Sequence, residues 1–256
     1  MHKLRFLYFL KKNRFFNIIL ENLKTLLGAL LIAILIRSLI IQPFYIPSSS
    51  MELNLLVGDR LFVTKFSYGY SKHSLPFSPP VIKDRIFFSE PKRGDVVVFK
   101  TPSDNRTDYI KRVIGLPGDV LQFINGDLYI NNKQVLKTLI KKDDQLFCGP
   151  TKIDVSTYEE KLPNGKTYVA AYRNDYSFQN SQKFNVPENH YFFLGDNRDC
   201  SKDSRFLNEV GYVHKDNLVG KARLLFFSSD PRVANLFNFT KWNKSIRLNR
   251  FFKKIN

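Results

Sequence analysis

Asp119-Val120-Leu121-Gln122-Phe123-Ile124-Asn125-Gly126-Asp127-Leu128-Tyr129-Ile130 decides the fold. Two short apolar runs flank Asn125-Gly126, a dipeptide that accepts positive φ at both positions. The stretch therefore predicts a β-hairpin closed by a type I′ turn. Runs of the same kind lie on either side. Upstream are Arg60 to Phe66, Asp95 to Lys100, and Tyr109 to Ile114, the last ended by Gly115-Leu116-Pro117-Gly118. Downstream are His190 to Leu194 and Lys221 to Phe227. Many short strands without long helices between them predict a mainly β, antiparallel body. Gly69 to Arg85, rich in Ser and Pro, reads as a loop. Residues 132–188 are polar, turn-rich and weakly patterned, and read as a less regular insertion or cap.

The segment before this body is of another kind. Thr25 to Ile36 reads TLLGALLIAILI without a charge, and Ser38-Leu39-Ile40-Ile41 extends it past Arg37. A helix of about 20 mostly apolar residues spans a bilayer core. Residues 19–41 are therefore expected to form a transmembrane helix, with Lys24 and Arg37 reaching towards opposite interfaces. A cleaved signal peptide is the alternative, but Gln42-Pro43-Phe44-Tyr45 offers no small-residue cleavage site. Five basic residues precede the span and few follow it closely, which predicts a cytoplasmic N-terminus and an outward-facing body.

Lys and Arg outnumber Asp and Glu by 40 to 23. Such an excess often marks nucleic-acid binding, yet here it gathers at the two ends. Lys3, Arg5, Lys11, Lys12 and Arg14 open the chain, and Lys241, Lys244, Arg247, Arg250, Lys253 and Lys254 close it, with no acid among them. Basic ends on a membrane-attached body fit attraction to anionic lipid, and no nucleic-acid-binding motif accompanies them. The tail from Asn235 mixes Phe237, Phe239, Trp242, Ile246, Leu248, Phe251 and Phe252 with these charges. It reads as an amphipathic helix at the membrane surface, a helix docked on the body, or a frayed end. Cys148 and Cys200 are too few for a disulfide framework, and their separation leaves open whether they pair. The four histidines lie far apart and there is no CxxC, so no metal and no cofactor are expected.

Two features carry chemistry. Ile46-Pro47-Ser48-Ser49-Ser50-Met51 sets hydroxyls just outside the membrane span, and Lys111 lies among Tyr109, Ile110, Val113 and Ile114. A serine nucleophile needs a base and an oxyanion site. No histidine sits in a serine-protease context, there is no G-x-S-x-G elbow, and Ser89-Glu90-Pro91-Lys92 matches S-x-x-K only by chance. A lysine acts as base if burial lowers its pKa. Pattern alone equally accommodates an outward-facing strand lysine beside Arg112, and a serine run that is a simple linker.

Taken together, the segments resemble bacterial type I signal peptidases. Ile46 to Met51, Gly58-Asp59, Arg93 to Phe99, Asp108 to Asp119 and Gly195-Asp196-Asn197-Arg198-Asp199-Cys200-Ser201-Lys202-Asp203-Ser204-Arg205 occur in that family's order. The likeness covers roughly residues 30–227, with 132–188 unsupported. It implies Ser50 as nucleophile and Lys111 as general base, with the Ser50 N–H and the Ser48 hydroxyl as oxyanion hole. Ser201 would orient Lys111, supported by Asp203 paired with Arg205. It further implies substrate pockets walled by Phe44, Ile46, Met51, Leu55, Val98, Tyr109 and Ile110. Where the family commonly has Gly and Asn, Ser49 and Cys200 stand here.

The expected organisation is a basic cytoplasmic arm (1–18), a transmembrane helix (19–41), a catalytic β core (42–131 and 189–230), an insertion (132–188) and a basic-aromatic tail (231–256). The expected function is a membrane serine endopeptidase that removes signal peptides from exported preproteins at the outer face of the cytoplasmic membrane. Its partners would be preprotein signal peptides and membrane lipid, and not nucleic acid. A membrane-tethered binding module and a self-cleaving Ser/Lys repressor are the rivals. The first would tolerate loss of Lys111, and the second would cut only its own chain.

Overall fold

A computed structural model describes residues 2–175, 177–234 and 239–255. It opens with helix α1 (His2–Leu39). Within α1, Phe15–Leu39 is a 25-residue stretch of mean hydropathy 2.0 whose apolar surface is not packed on the body. At about 1.5 Å per residue this exceeds the ~30 Å of a bilayer core. Near its start Lys24 and Glu21, one turn apart, form an ion pair at 3.0 Å. The apolar helix begins earlier than residue 19 and ends sooner than residue 41, because Ile41 already belongs to strand β1 (Ile41–Tyr45). Pro43 supplies the reason. It has no N–H for a helical hydrogen bond, and it disfavours helical backbone at Gln42.

The remaining strands are β2 (Asp59–Thr64), β3 (Val96–Lys100), β4 (Asp108–Gly115), β5 (Val120–Ile124), β6 (Asp127–Ile130), β7 (Lys133–Gln134), β8 (Leu136–Cys148), β9 (Thr151–Lys161), β10 (Thr167–Arg173), β11 (Phe184–Asn185), β12 (His190–Leu194), β13 (Val213–His214) and β14 (Leu218–Ser228). They form three antiparallel sheets, and the body is mainly β as expected. The largest has the order β1-β2-β14-β3-β4-β12-β13. The hairpin β5-β6 has the anticipated register, Ile124 opposite Asp127. Asn125 and Gly126 both take positive φ, 50° and 80°, as a type I′ turn requires.

β3 lies inside the main sheet and is buried on both faces, which explains its unbroken Val-Val-Val-Phe run. Val96 and Val98 pack with Ile46, Met51, Leu55 and Leu61 on one side. Val97 and Phe99 pack with Val113, Phe193 and Leu218 on the other. A further cluster joins the β5-β6 hairpin to Ile114, Phe192 and the β10 residues Tyr168, Ala170 and Tyr172.

The segment 132–188 is more regular than its sequence suggests. Much of it is the three-stranded sheet β10-β9-β8, whose long ribbon β8-β9 is interrupted by bulges near Lys141. Almost every residue of β8 is exposed or half-exposed. A strand with no buried face leaves no period-2 apolar signal to read, and β8 is such a strand. β10 returns to the body, where Glu160 of β9 meets Arg198 in a fully buried ion pair with two 2.7 Å hydrogen bonds. The hydroxyls of Tyr168 and Tyr172 donate to the same carboxylate. Of the tail, Phe237 lies outside the described residues. The described part docks on the body in short turns: Arg250 pairs with buried Asp59 at 2.6 Å and Arg247 with Asp230 at 2.6 Å. Some of the terminal basic charge is thus structural.

Glu160→Gln should destabilise the body by about 3–5 kcal/mol, because it leaves the Arg198 guanidinium buried without its counter-charge. Chemical denaturation of the purified protein measures this. Adding Arg198→Met should restore most of the loss, since the isolated charge is what costs.

Candidate active site

Ser50 sits on a loop held at both ends. The Ile46 N–H donates to the Asp59 carbonyl and the Gly58 N–H to that of Ile46, both at 2.9 Å. After Ser50 a turn, closed by the Leu55 N–H on the Met51 carbonyl, sends Met51 and Leu55 into the core. Asn197 then clamps the loop from above. Its backbone N–H donates to the Ser50 carbonyl at 3.1 Å and its side-chain amide to the Ser49 carbonyl at 3.2 Å. Gly195 permits this approach, since a Cβ there would strike both Ser201 and the Ser50 carbonyl oxygen.

Lys111 lies on β4 opposite Val97. One residue further, β12 pairs through Leu194 with Arg112 and then gives way to the 195–205 loop. The lysine is therefore walled by strand on one side and by loop on the other. Its Nζ lies 2.6 Å from the Ser50 Oγ, donates to the Ile110 carbonyl at 3.0 Å and stands 5.3 Å from the centre of the Tyr109 ring. Among the described residues no carboxylate pairs with it. Burial lowers its pKa to about 8, and the charges of Asp203 and Asp196 only partly oppose that fall.

Both of those aspartates are held by arginines. Asp196 accepts from Arg112 at 2.8 and 2.7 Å, a pair buried to about 1% exposure. Asp203 accepts from Arg205 at 2.8 and 2.9 Å and from the Gly195 N–H at 3.0 Å. Burial alone would raise the Asp203 carboxyl, but the Arg205 guanidinium beside it holds it below the usual range. Ser201 is buried against Gly195, and its hydroxyl makes no hydrogen bond to Lys111. Ser48 is exposed, with its Oγ 3.4 Å from that of Ser50.

The Ser50 and Lys111 side chains open onto a cleft of about 570 Å³. Phe44, Ile46, Ser48, Val98, Tyr109 and Ile110 line it. Met51 and Leu55, expected among its walls, instead pack in the core beneath.

Some positions escaped the sequence reading. Asn197, which holds the serine loop, and the buried Asp196–Arg112 pair lie within the family-like motifs, but their sequence pattern does not show these contacts. The Cys148–Cys200 disulfide, with Cα atoms 5.5 Å apart, ties the end of β8 to the 195–205 loop. Nothing in the cysteine spacing pointed to that pairing. The clamp did leave a signal, a run of polar side chains in Gly195-Asp196-Asn197-Arg198 directly after an apolar strand.

Known proteins were compared with this chain. A crystal structure of a signal peptidase I from Enterococcus faecalis is 24% identical, covering 52% of this chain and 97% of that one, at a TM-score of 0.33. That score is too low for the likeness of shape to carry weight. The sequence relatives are closer. Signal peptidase I of Rickettsia typhi is 43% identical over 242 residues, 88% of this chain and 89% of the relative. That of Rickettsia conorii is 43% identical over 243 residues, 88% of each. The family described as "Signal peptidase, peptidase S26" matches residues 19–227. By the extent of that match and the identity to these relatives, the chain belongs to the signal peptidase family of S26 peptidases.

Proposed function

We propose that the chain is a membrane-anchored serine endopeptidase that removes signal peptides from exported preproteins, with Ser50 as nucleophile and Lys111 as general base. The observation that carries this reading is the 2.6 Å contact between the Lys111 Nζ and the Ser50 Oγ in a pocket where no carboxylate meets the amine. A base must be neutral to take a proton. A lysine with a pKa near 8 is neutral in an appreciable fraction of molecules at physiological pH, which an exposed lysine is not.

The steps follow from these positions. The Lys111 amine takes the Ser50 hydroxyl proton as Oγ attacks the scissile carbonyl carbon. The oxygen that becomes negative is received by the Ser50 backbone N–H and the Ser48 hydroxyl. The ammonium of Lys111 then returns the proton to the departing amine, which leaves as the new N-terminus of the mature protein. Water, deprotonated by the same lysine, attacks the Ser50 ester and frees the signal peptide. Asp203, held by Arg205, and Ser201 shape the wall behind the amine. An extended substrate in the cleft sends alternate side chains to one face, towards Phe44, Ile46, Val98 and Ile110. Lys and Arg crowd the N-terminal side of α1, which supports a cytoplasmic N-terminus and a catalytic body on the outer face of the cytoplasmic membrane.

Ser50→Ala should abolish cleavage of a preprotein, with loss of several orders of magnitude in kcat and no change in membrane insertion. Lys111→Arg should be as inactive as Lys111→Ala, because a guanidinium keeps its proton at any working pH. In the unaltered protein the neutral amine dominates above about pH 8 and the ammonium below it. The value of kcat/KM should accordingly climb as pH rises towards 8 and level off beyond, by about tenfold per unit on the acid side. A flat profile, or an active arginine variant, would exclude a lysine base.

The cleft should select small side chains at the first and third residues before the cut. A peptide series around an Ala-X-Ala site, varied one position at a time, measures this. Phe or Leu at the first position should reduce kcat/KM by at least about a hundredfold, since exclusion by fixed walls discriminates more strongly than added apolar contact.

A further inference from the structure

A second cavity, of about 720 Å³, opens beside the last turn of α1 and shares Phe44 and Asp108 with the catalytic cleft. Its walls hold two buried polar groups without partners. Ser38 is 2% exposed and His73 is 4% exposed. Among the described residues neither the Ser38 Oγ nor the His73 Nε2 has a hydrogen-bond partner. The other ring nitrogen of His73, Nδ1, lies 3.0 Å from the Ser78 hydroxyl. With that hydroxyl donating to Nδ1, Nε2 carries the ring hydrogen and is a donor without an acceptor. Burial holds the ring's pKa down to about 4, so this donor is neutral at physiological pH. A buried donor left unpaired costs free energy that a bound acceptor returns.

The charges around the cavity point the same way. Its two carboxylates are already committed. Asp108 pairs with Lys100 at 2.9 Å, and Asp104 accepts from Thr101, from the side chain and N–H of Thr107, and from the Arg106 N–H. Arg37, Lys72 and Arg106 line the same space and form no ion pair among the described residues. Behind them Lys65 is buried, its Nζ contacting the His73 carbonyl at 3.4 Å and no carboxylate. Three uncommitted cations, an unpartnered hydroxyl and a neutral imidazole that donates from Nε2 when Nδ1 accepts from Ser78 suit an anion with several oxygens better than a metal ion.

We infer that this cavity binds a phosphate group at the junction of membrane helix and body, either as inorganic phosphate or as the headgroup of an anionic phospholipid. The end of the apolar span Phe15–Leu39 lies at the cavity wall, so a lipid phosphate at the interface and a free phosphate from solution can both reach it. The site is independent of Ser50 and Lys111, and its test does not use turnover as the readout.

Full-length protein in phosphate-free dodecyl maltoside is titrated with inorganic phosphate, with chloride holding ionic strength constant. The melting temperature and the ¹⁵N shift of His73 Nε2 are followed. The same shift is compared in nanodiscs of phosphatidylcholine alone and in nanodiscs doped with phosphatidylglycerol. Binding should raise Tm and move the Nε2 signal. Arg37→Gln/Lys72→Gln/Arg106→Gln should weaken the apparent affinity by roughly tenfold or more while leaving the ligand-free Tm unchanged, because all three side chains reach solvent. Ser38→Ala should weaken it less, and Lys133→Gln/Lys161→Gln, far from the cavity, should not alter it. A response to phosphate in detergent identifies free phosphate as sufficient, and a response only to phosphatidylglycerol identifies the lipid; either supports the site. Absence of response to both probes, or equal response in the triple glutamine variant, overturns it.

Discussion

An amine is neutral in an appreciable fraction of molecules near physiological pH only where water is excluded and no carboxylate pairs with it, and among the described residues the architecture around Lys111 meets both demands. Strand β3 covers one side, with Val97 directly opposite in register. The Ser50 loop and the 195–205 loop close the other. Two aspartates lie near enough to act on the lysine electrostatically, yet each is bound by an arginine of its own. Had either carboxylate turned to the amine instead, the ion pair would have raised the lysine's pKa and removed the neutral amine that the proposed base requires. Arg112 and Arg205 are thus part of the site's electrostatics although neither meets the Ser50 hydroxyl.

That arrangement depends on three chain segments meeting within contact distance, and the meeting is held by several independent devices. Gly195 lets the Ser50 backbone approach where a side chain would obstruct it. Asn197 supplies hydrogen bonds to two successive carbonyls of the serine loop. From the far side β9 contributes Glu160, whose buried pair with Arg198 seats the same loop, and Cys148 at the end of β8 joins that loop covalently at Cys200. β8 is largely exposed, but β9 and β10 carry buried residues and are tied into the segment that bounds the lysine. A disturbance of Glu160 should therefore be felt at the site as well as in stability.

The link between membrane and chemistry is short. α1 ends at Leu39, β1 follows at once, and the serine loop begins directly after β1. The Tyr70 hydroxyl donates to the Leu39 carbonyl and the Lys65 N–H to that of Ile40, so the helix end is bonded to the body rather than loosely tethered. The catalytic cleft and the cation-lined cavity both adjoin this junction, with Phe44 between them. The end of the apolar helix and the Ser50–Lys111 cleft thus lie at one junction.

Much of this was legible in the residues. The apolar run marked a helix of membrane length, because hydropathy and length need no tertiary context. The β body followed from short runs with one or two buried faces, and the Asn125-Gly126 turn from the positive φ that few other residue pairs accept. The family resemblance of the motifs around them singles out Ser50 and Lys111, and the fold brings their side chains together. The ribbon could not be read, since β8 is exposed along most of its length and carries no burial pattern, and neither could the docking of the tail, whose Arg250 meets Asp59 from 191 residues away. Whether Lys111 faced inward was likewise undecidable from pattern, because an exposed strand lysine has the same neighbours in sequence. Local order and composition set the elements and the chemical inventory. Burial, the distance from Nζ to Oγ, and which arginine claims which aspartate are properties of segments distant in sequence, and only the tertiary fold, by excluding water between them, decided those.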